Sequence, residues 1–428
     1  MSESNLKRTL TLPDVVALGI NGVVGQGIFL LPGLAAASLG PASIAALALA
    51  GVLCFLIALC FAEVGSRFSS TGGAYIYARS AFGDFVGFEV GWMTCCVAVI
   101  SWAALANGFT VVLAHFIPGV DDGLTQKLIC VGMMGGLAGI NMFGAKAGAR
   151  VSTFFSIAKL IPLVLFIGVG LCHLDMALFT PFAPHGTEDF ASTTLMVMYA
   201  YVGFETLVVP AGEMANPQRA VPLAMLTVMA LVSVIYILVM SVSVGTLPEL
   251  AGHGNPVAAA SRGFMGPIGG TIVALGIVVS VFGTNAGAAL VSPRRFYALA
   301  ERGDLPAILA KTSPKTGAPV PAIVTCFALS ALLSLTGTFK ELAILAVVAR
   351  FLQYIPTCLA TIILRRREGA GSGGFRIPFG PVLPVVSIVL CLWLMANTQP
   401  DRLIKGGIAV AVGVPLYFLA RYSRGRET

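Results

Sequence analysis

Long apolar runs separated by short polar ones repeat down the whole chain. They cover residues 13–39, 41–66, 85–117, 125–144, 149–173, 191–213, 221–246, 268–292, 319–338, 341–364, 377–397 and 404–421. A helix needs roughly 20 apolar residues to cross the hydrocarbon core of a bilayer. The pattern therefore predicts twelve transmembrane helices. An even number of spans returns both termini to one side.

Composition narrows the class further. Of the 428 residues, 57% are hydrophobic and 11% charged, and the mean hydropathy is +0.92. Soluble chains carry about 25% charged residues, so a soluble enzyme and a disordered chain are both excluded. The 49 glycines and 24 prolines show no three-residue period, which excludes collagen. The nine cysteines lie almost entirely within apolar runs, without a CxxC, and read as small buried hydrophobes. No metal site or cofactor is implied. The expected fold is an all-α integral membrane protein.

Charge orients it. The net charge is +7, and 19 of the 26 Lys and Arg residues fall on segments that share the side of the N-terminus. Five fall on the other side, and Lys159 and Arg350 fall within spans. By the positive-inside rule both termini are cytoplasmic, in a multi-pass protein of the cell (inner) membrane. Residues 1–12 lack a signal-peptide pattern and read as an uncleaved cytoplasmic tail. Residues 423–428 read as a second tail. No basic stripe with interleaved aromatics points to nucleic acid. His115, His173, His185 and His253 all fall at the outer face, as solvated loop residues or alternatively as a pH sensor.

The chain repeats itself in spacing. Glycine-rich interruptions near Gly25 and Gly203 lie 178 residues apart, and the starts of the following spans are shifted by about the same amount. Five spans per unit is odd, so the second unit must be inverted. The expected organisation is a first five-helix repeat over 13–174, an inverted repeat over 190–367, and two further helices over 376–422. Inverted repeats with broken helices are a transporter signature.

The breaks carry candidate chemistry. Gly22-Val-Val-Gly25-Gln26-Gly27 sits at mid-membrane depth. Unwound backbone there survives only where it lines a cavity, and the free N–H groups of the following half-helix would hold a carboxylate. Close helix packing is the alternative role for these glycines. The second break, Tyr199-Ala-Tyr201-Val-Gly203-Phe204-Glu205, offers carbonyls for an ammonium and an intramembrane carboxylate. Together they suit a zwitterionic amino acid, with Tyr199 or Tyr201 on the substrate, the alternative for both tyrosines being lipid-facing packing. Lys159, flanked by apolar residues, is either a snorkelling lysine or a buried ammonium that gains and loses a proton. Arg350 cannot carry a proton and reads as an ion-pair or gate residue, Glu205 being one candidate partner.

The stretches GVVGQGIFLLPG (22–33), AEVGSRFSSTGGAYIYARSAFG (62–83), AYVGFE (200–205), NPQRAVP (216–222), SPRRFYALAERGDLP (292–306) and FRIPFGPVLPVV (375–386) resemble, in order, the amino acid–polyamine–organocation superfamily of LeuT-type fold. The resemblance implies that Gly25, Gln26 and Gly27 bind the substrate carboxylate, and that residues matching Tyr201 to Glu205 bind the amino group and line the side-chain pocket. It also implies that Lys159 occupies the place where sodium binds in other branches, and that the 65–83 stretch belongs to an inner gate. Gln26 departs from the pattern, which has a small residue there.

The resulting expectation is a secondary active transporter of a small or neutral L-amino acid, working by alternating access. Helices 1 and 6 move against helices 3, 4, 8 and 9. Proton coupling is expected and sodium coupling is not, because Lys159 would repel the cation. The substrate-binding set is Gly25, Gln26, Gly27, Tyr199, Tyr201, Gly203 and Glu205, with Lys159 as the proton-coupling or sodium-replacing residue. The pocket segments show no other side-chain cation for a dicarboxylic substrate. The alternatives are an amino acid exchanger and an antiporter for cationic amino acids or polyamines. An intramembrane enzyme is disfavoured by the absence of HExxH, GxSxG or paired intramembrane Asp, and a pump by the absence of a P-loop. A non-transporting sensor is a further alternative. The partners are the amino acid, protons and the lipid bilayer; no partner subunit is expected.

Overall fold

The computed structural model describes residues 8–114, 116–253, 255–336, 339–368, 374–397 and 400–424. Most of both expected tails, at 1–7 and 425–428, and His115 lie outside the described residues. Fourteen α-helices account for most of what is described: α1 (Leu12–Val23), α2 (Gly27–Leu39), α3 (Ser43–Gly65), α4 (Ala74–Phe82), α5 (Asp84–Leu113), α6 (Gly123–Met142), α7 (Ala145–Gly170), α8 (Phe190–Tyr201), α9 (Pro217–Thr246), α10 (Pro256–Glu301), α11 (Val320–Ser334), α12 (Phe339–Glu368), α13 (Val382–Ala396) and α14 (Pro400–Arg424). Among the described residues, seven helical stretches are long and apolar enough to cross a membrane, the first counted from Leu12 to Gly65. α11 and α13 are apolar but shorter, at 15 residues each.

The helices are inside-out relative to those of a soluble protein. On α7, Phe154, Ile157, Ile161 and Val164 are exposed, while Ser152, Ser156 and Lys159 are buried. The spacing of three to four puts the apolar set on one face. An exposed stripe of that kind is stable only against lipid, and the polar stripe behind it faces protein. The chain is thus a multi-pass membrane protein.

Local chemistry sets several boundaries. Asp14 accepts the Thr11 N–H at 2.9 Å and the Thr11 hydroxyl at 2.6 Å, which starts α1. α10 kinks at Gly266, whose φ of 71° suits glycine. The expected sixth span, 191–213, is α-helical only as far as Tyr201; 3₁₀ turns at Phe204–Thr206 and Ala211–Glu213 continue it. Small residues allow close helix contacts: a Cβ at Gly276 of α10 would strike Pro162 of α7.

One end of the bundle is tied by charge. Glu63 accepts from Arg67 and Arg365 and from the Ile377 N–H. Tyr75 and Arg79 of α4 both reach Asp304, at 2.5 and 3.1 Å. Burial, and then the Asp304 charge, raise the Tyr75 hydroxyl above its ordinary value, which keeps it a donor. The Thr9 and Leu10 N–H groups both donate to the Glu213 carbonyl at 2.9 Å, which ties the start of the described chain to the segment before α9.

Candidate functional site

α1 stops at Val23 and α2 begins at Gly27. The last carbonyls of α1 lack helical partners, and other elements satisfy them. Lys159 Nζ donates to Val24 O at 2.5 Å, to Asn21 O at 3.1 Å and to Thr284 Oγ1 at 3.0 Å. The Ser280 hydroxyl donates to Val24 O at 3.2 Å. Asn21 holds the same turn through Ser152 Oγ at 2.9 Å and Gly283 O at 2.5 Å. Lys159 is wholly buried and does not snorkel. Its three donors meet three acceptors, at the end of α1 where the helix dipole is negative.

The second break follows α8. Val202 is extended and Gly203 has a φ of 119°. Its backbone lies so close to the Gly22 carbonyl that a Cβ would strike it. The two interruptions therefore touch. The Tyr236 hydroxyl of α9 joins them again, 2.9 Å from Val23 O and 3.1 Å from Ala200 O. Sequence reasoning missed Tyr236, which lies in an otherwise apolar span with nothing local to mark it.

A cavity of about 70 Å³ opens between the breaks. Gly25, Gln26, Gly27, Tyr199 and Gly203 line it, as do Ser101, Thr284, Arg295 and Arg350. Gln26 Nε2 donates to the Tyr199 hydroxyl at 3.2 Å, while the buried Gln26 Oε1, packed on Gly108, has no hydrogen-bond partner among the described residues. The N-terminal turn of α2 faces this space, as does the end of α8. N–H groups on one side and carbonyls on the other can hold a small zwitterion.

Tyr201, Glu205 and Lys159 do not line the cavity. Tyr201 is two residues from Tyr199, about 200° round the helix. Its ring packs on Tyr236 at 5.1 Å, and its hydroxyl faces Gly51 of α3. Glu205 is buried behind the wall: Oε1 accepts from Arg350 Nε at 2.6 Å, and Oε2 accepts from the Gly203 N–H at 2.9 Å and the Tyr354 hydroxyl at 3.0 Å. Lys159 stands behind the first break.

One expectation is corrected outright. The sequence places no side-chain cation besides Lys159 at the pocket, and Arg294 and Arg295 fall beyond the expected span 268–292. α10 runs on through both to Glu301 and buries them. Arg294 pairs with Glu213 at 3.2 Å, and Arg295 lines the cavity with Arg350. The apolar run Phe296-Tyr-Ala-Leu-Ala300 after the two arginines was the available signal that the helix continues.

This chain is similar to transporters over nearly all its length. It is 30% identical to the methylthioribose transporter of Bacillus subtilis (strain 168), over 98% of this chain and 94% of the relative. It is 30% identical to the serine/threonine exchanger SteT of the same organism, over 97% of each. It is 26% identical to that organism's branched-chain amino acid permease BcaP, over 99% of this chain and 94% of the relative. Residues 10–417 match the family model described as amino acid permease. The chain belongs to the amino acid permease family, whose place is in amino acid transport across a membrane.

Proposed function

We propose that the chain is a secondary active transporter that binds the zwitterionic head of a small or neutral L-amino acid between its two broken helices. The observation that carries this reading is the meeting of the breaks around one cavity, with Gly25, Gln26 and Gly27 on one side and Tyr199, Ala200, Val202 and Gly203 on the other. The carboxylate sits on the N-terminal turn of α2 and the ammonium on the carbonyl end of α8. Twelve spans, arranged as two inverted five-helix repeats over 13–174 and 190–367 plus two helices over 376–422, supply the rocking needed for alternating access. Both termini are cytoplasmic in a cell-membrane protein.

Coupling is by protons, without sodium, and without a partner subunit. Lys159 supports this: its ammonium fills with positive charge the cluster of oxygens from Asn21, Val24 and Thr284 that a cation would otherwise need. Loss of its proton would remove one donor and release one of those oxygens.

The test is uptake into proteoliposomes of full-length protein under an inward proton gradient, with and without sodium. Proton-driven accumulation of a labelled amino acid supports the symporter. Uptake only into vesicles preloaded with amino acid supports the second reading, an exchanger, which the serine/threonine exchanger among its relatives favours. An antiporter for cationic substrates is less well supported, since Glu205 already accepts three hydrogen bonds.

A further inference from the structure

The cavity carries more positive charge than a zwitterion requires. Arg295 and Arg350 line it, and among the described residues no Asp or Glu does. Arg350 is already engaged: its Nε holds Glu205, and its other nitrogens reach Ala346 O at 2.9 Å and Ser101 Oγ at 3.0 Å. Among the described residues Arg295 makes no direct ion pair; the charge of Glu205, a carboxylate already held by Arg350, is the acid that acts on it. One nitrogen donates to Thr94 O at 3.0 Å, which fixes the side chain, while its Nε is buried without a partner. The residue is 3% exposed. A buried guanidinium without a direct ion-pair partner is costly, and its fork of donors matches a carboxylate.

We infer that Arg295 forms a subsite for a side-chain carboxylate, so that the cavity takes acidic amino acids in addition to the small or neutral ones proposed above, and excludes cationic ones. The inference rests on the amino acid reading above and deepens it. With the α-carboxylate on the turn of α2, a second carboxylate is the group that completes Arg295. A cationic side chain would meet two guanidinium groups and no acid in the wall. Val97, Ala98, Val291 and Ser292 make the rest of this end small and neutral.

The experiment uses full-length protein in detergent and in proteoliposomes. Thermal stabilisation of the unaltered protein is compared for L-glutamate against L-glutamine, L-aspartate against L-asparagine, and L-lysine against L-norleucine. Each acid is expected to act at about tenfold lower concentration than its amide, and lysine is expected to be the weakest. Competition against labelled L-serine uptake is then measured for Arg295→Gln, Arg295→Glu and Arg295→Lys. The acid-to-amide ratio should fall about tenfold in Arg295→Gln, invert toward lysine in Arg295→Glu, and be partly restored in Arg295→Lys. If no amino acid stabilises the protein or is taken up, the amino acid reading itself fails. If the amides bind as well as or better than the acids, or lysine competes equally, the Arg295 subsite alone is overturned.

Discussion

Lys159 Nζ stands 2.5 Å from the carbonyl oxygen of Val24, the residue at which the first span stops being helical. The ammonium caps a helix end that has no covalent reason to end there. It also ties α7 to α1, and through Thr284 to α10. Any change in its charge changes how firmly the first break is held.

Lys159→Ala is therefore expected to lower proton-driven uptake by at least about tenfold and stability by about 2 kcal/mol, the scale of a charged hydrogen bond left unmade. Uptake with and without a proton gradient, beside a thermal melt, checks both. Unchanged gradient dependence in a folded Lys159→Ala protein would sink the coupling role.

Arg350 and Glu205 form a buried pair at 2.6 Å. Removing one partner strands the other, at a cost of about 3–5 kcal/mol. Arg350→Ala should destabilise more than Glu205→Gln, because a glutamine can still accept from Tyr354 and the Gly203 N–H. The double substitution should be milder than the sum of the two. Strict additivity in a double-mutant cycle of thermal unfolding would show that the pair is not coupled.

The Tyr236 hydroxyl bridges the carbonyls of Val23 and Ala200. Tyr236→Phe keeps the ring and its packing on Tyr201 but removes the hydroxyl from both carbonyls, leaving Val23 O with the Gly25 N–H alone. A loss of about 1 kcal/mol is expected, together with a larger relative fall in uptake, since both half-helices lose a shared restraint. A thermal melt and initial rates on the same preparation measure the two effects. Uptake rates equal to the unaltered protein would argue that the bridge is structural only.

Gly203→Ala combines a strained φ of 119° with a collision against Gly22. Gly123 also has a positive φ, of 57°, but open space around it. Backbone strain of about 1–3 kcal/mol applies at Gly203 together with the loss of the contact between breaks. Gly203→Ala should abolish uptake, while Gly123→Ala should leave it intact. Equal uptake by the two variants would mean that the meeting of the breaks is unimportant.

The sequence by itself determined the class of the protein. Membrane insertion depends on local apolar runs, and hydropathy reads those directly. The two interruptions were also legible, because glycine at Gly25, Gly27 and Gly203 marks backbone freedom wherever it occurs. The pairing of Glu205 with Arg350 could be named as one option, since intramembrane charges need partners.

What only the tertiary structure decided is which way side chains face. In a soluble helix, polarity tells inside from outside. At the end of α8 the run Leu195-Met-Val-Met-Tyr-Ala-Tyr201 is apolar or aromatic on every face, so nothing in the sequence separates Tyr199, at the cavity, from Tyr201, packed against α3 and α9. The same degeneracy hid Tyr236 as the bridge between the breaks. Arg295 was misread for a related reason: positive charge usually ends a span, but here α10 continues through it, and Thr94 of α5 supplies the acceptor that lets a guanidinium stay inside. That compensation lies 201 residues away in the chain, where no local pattern could show it.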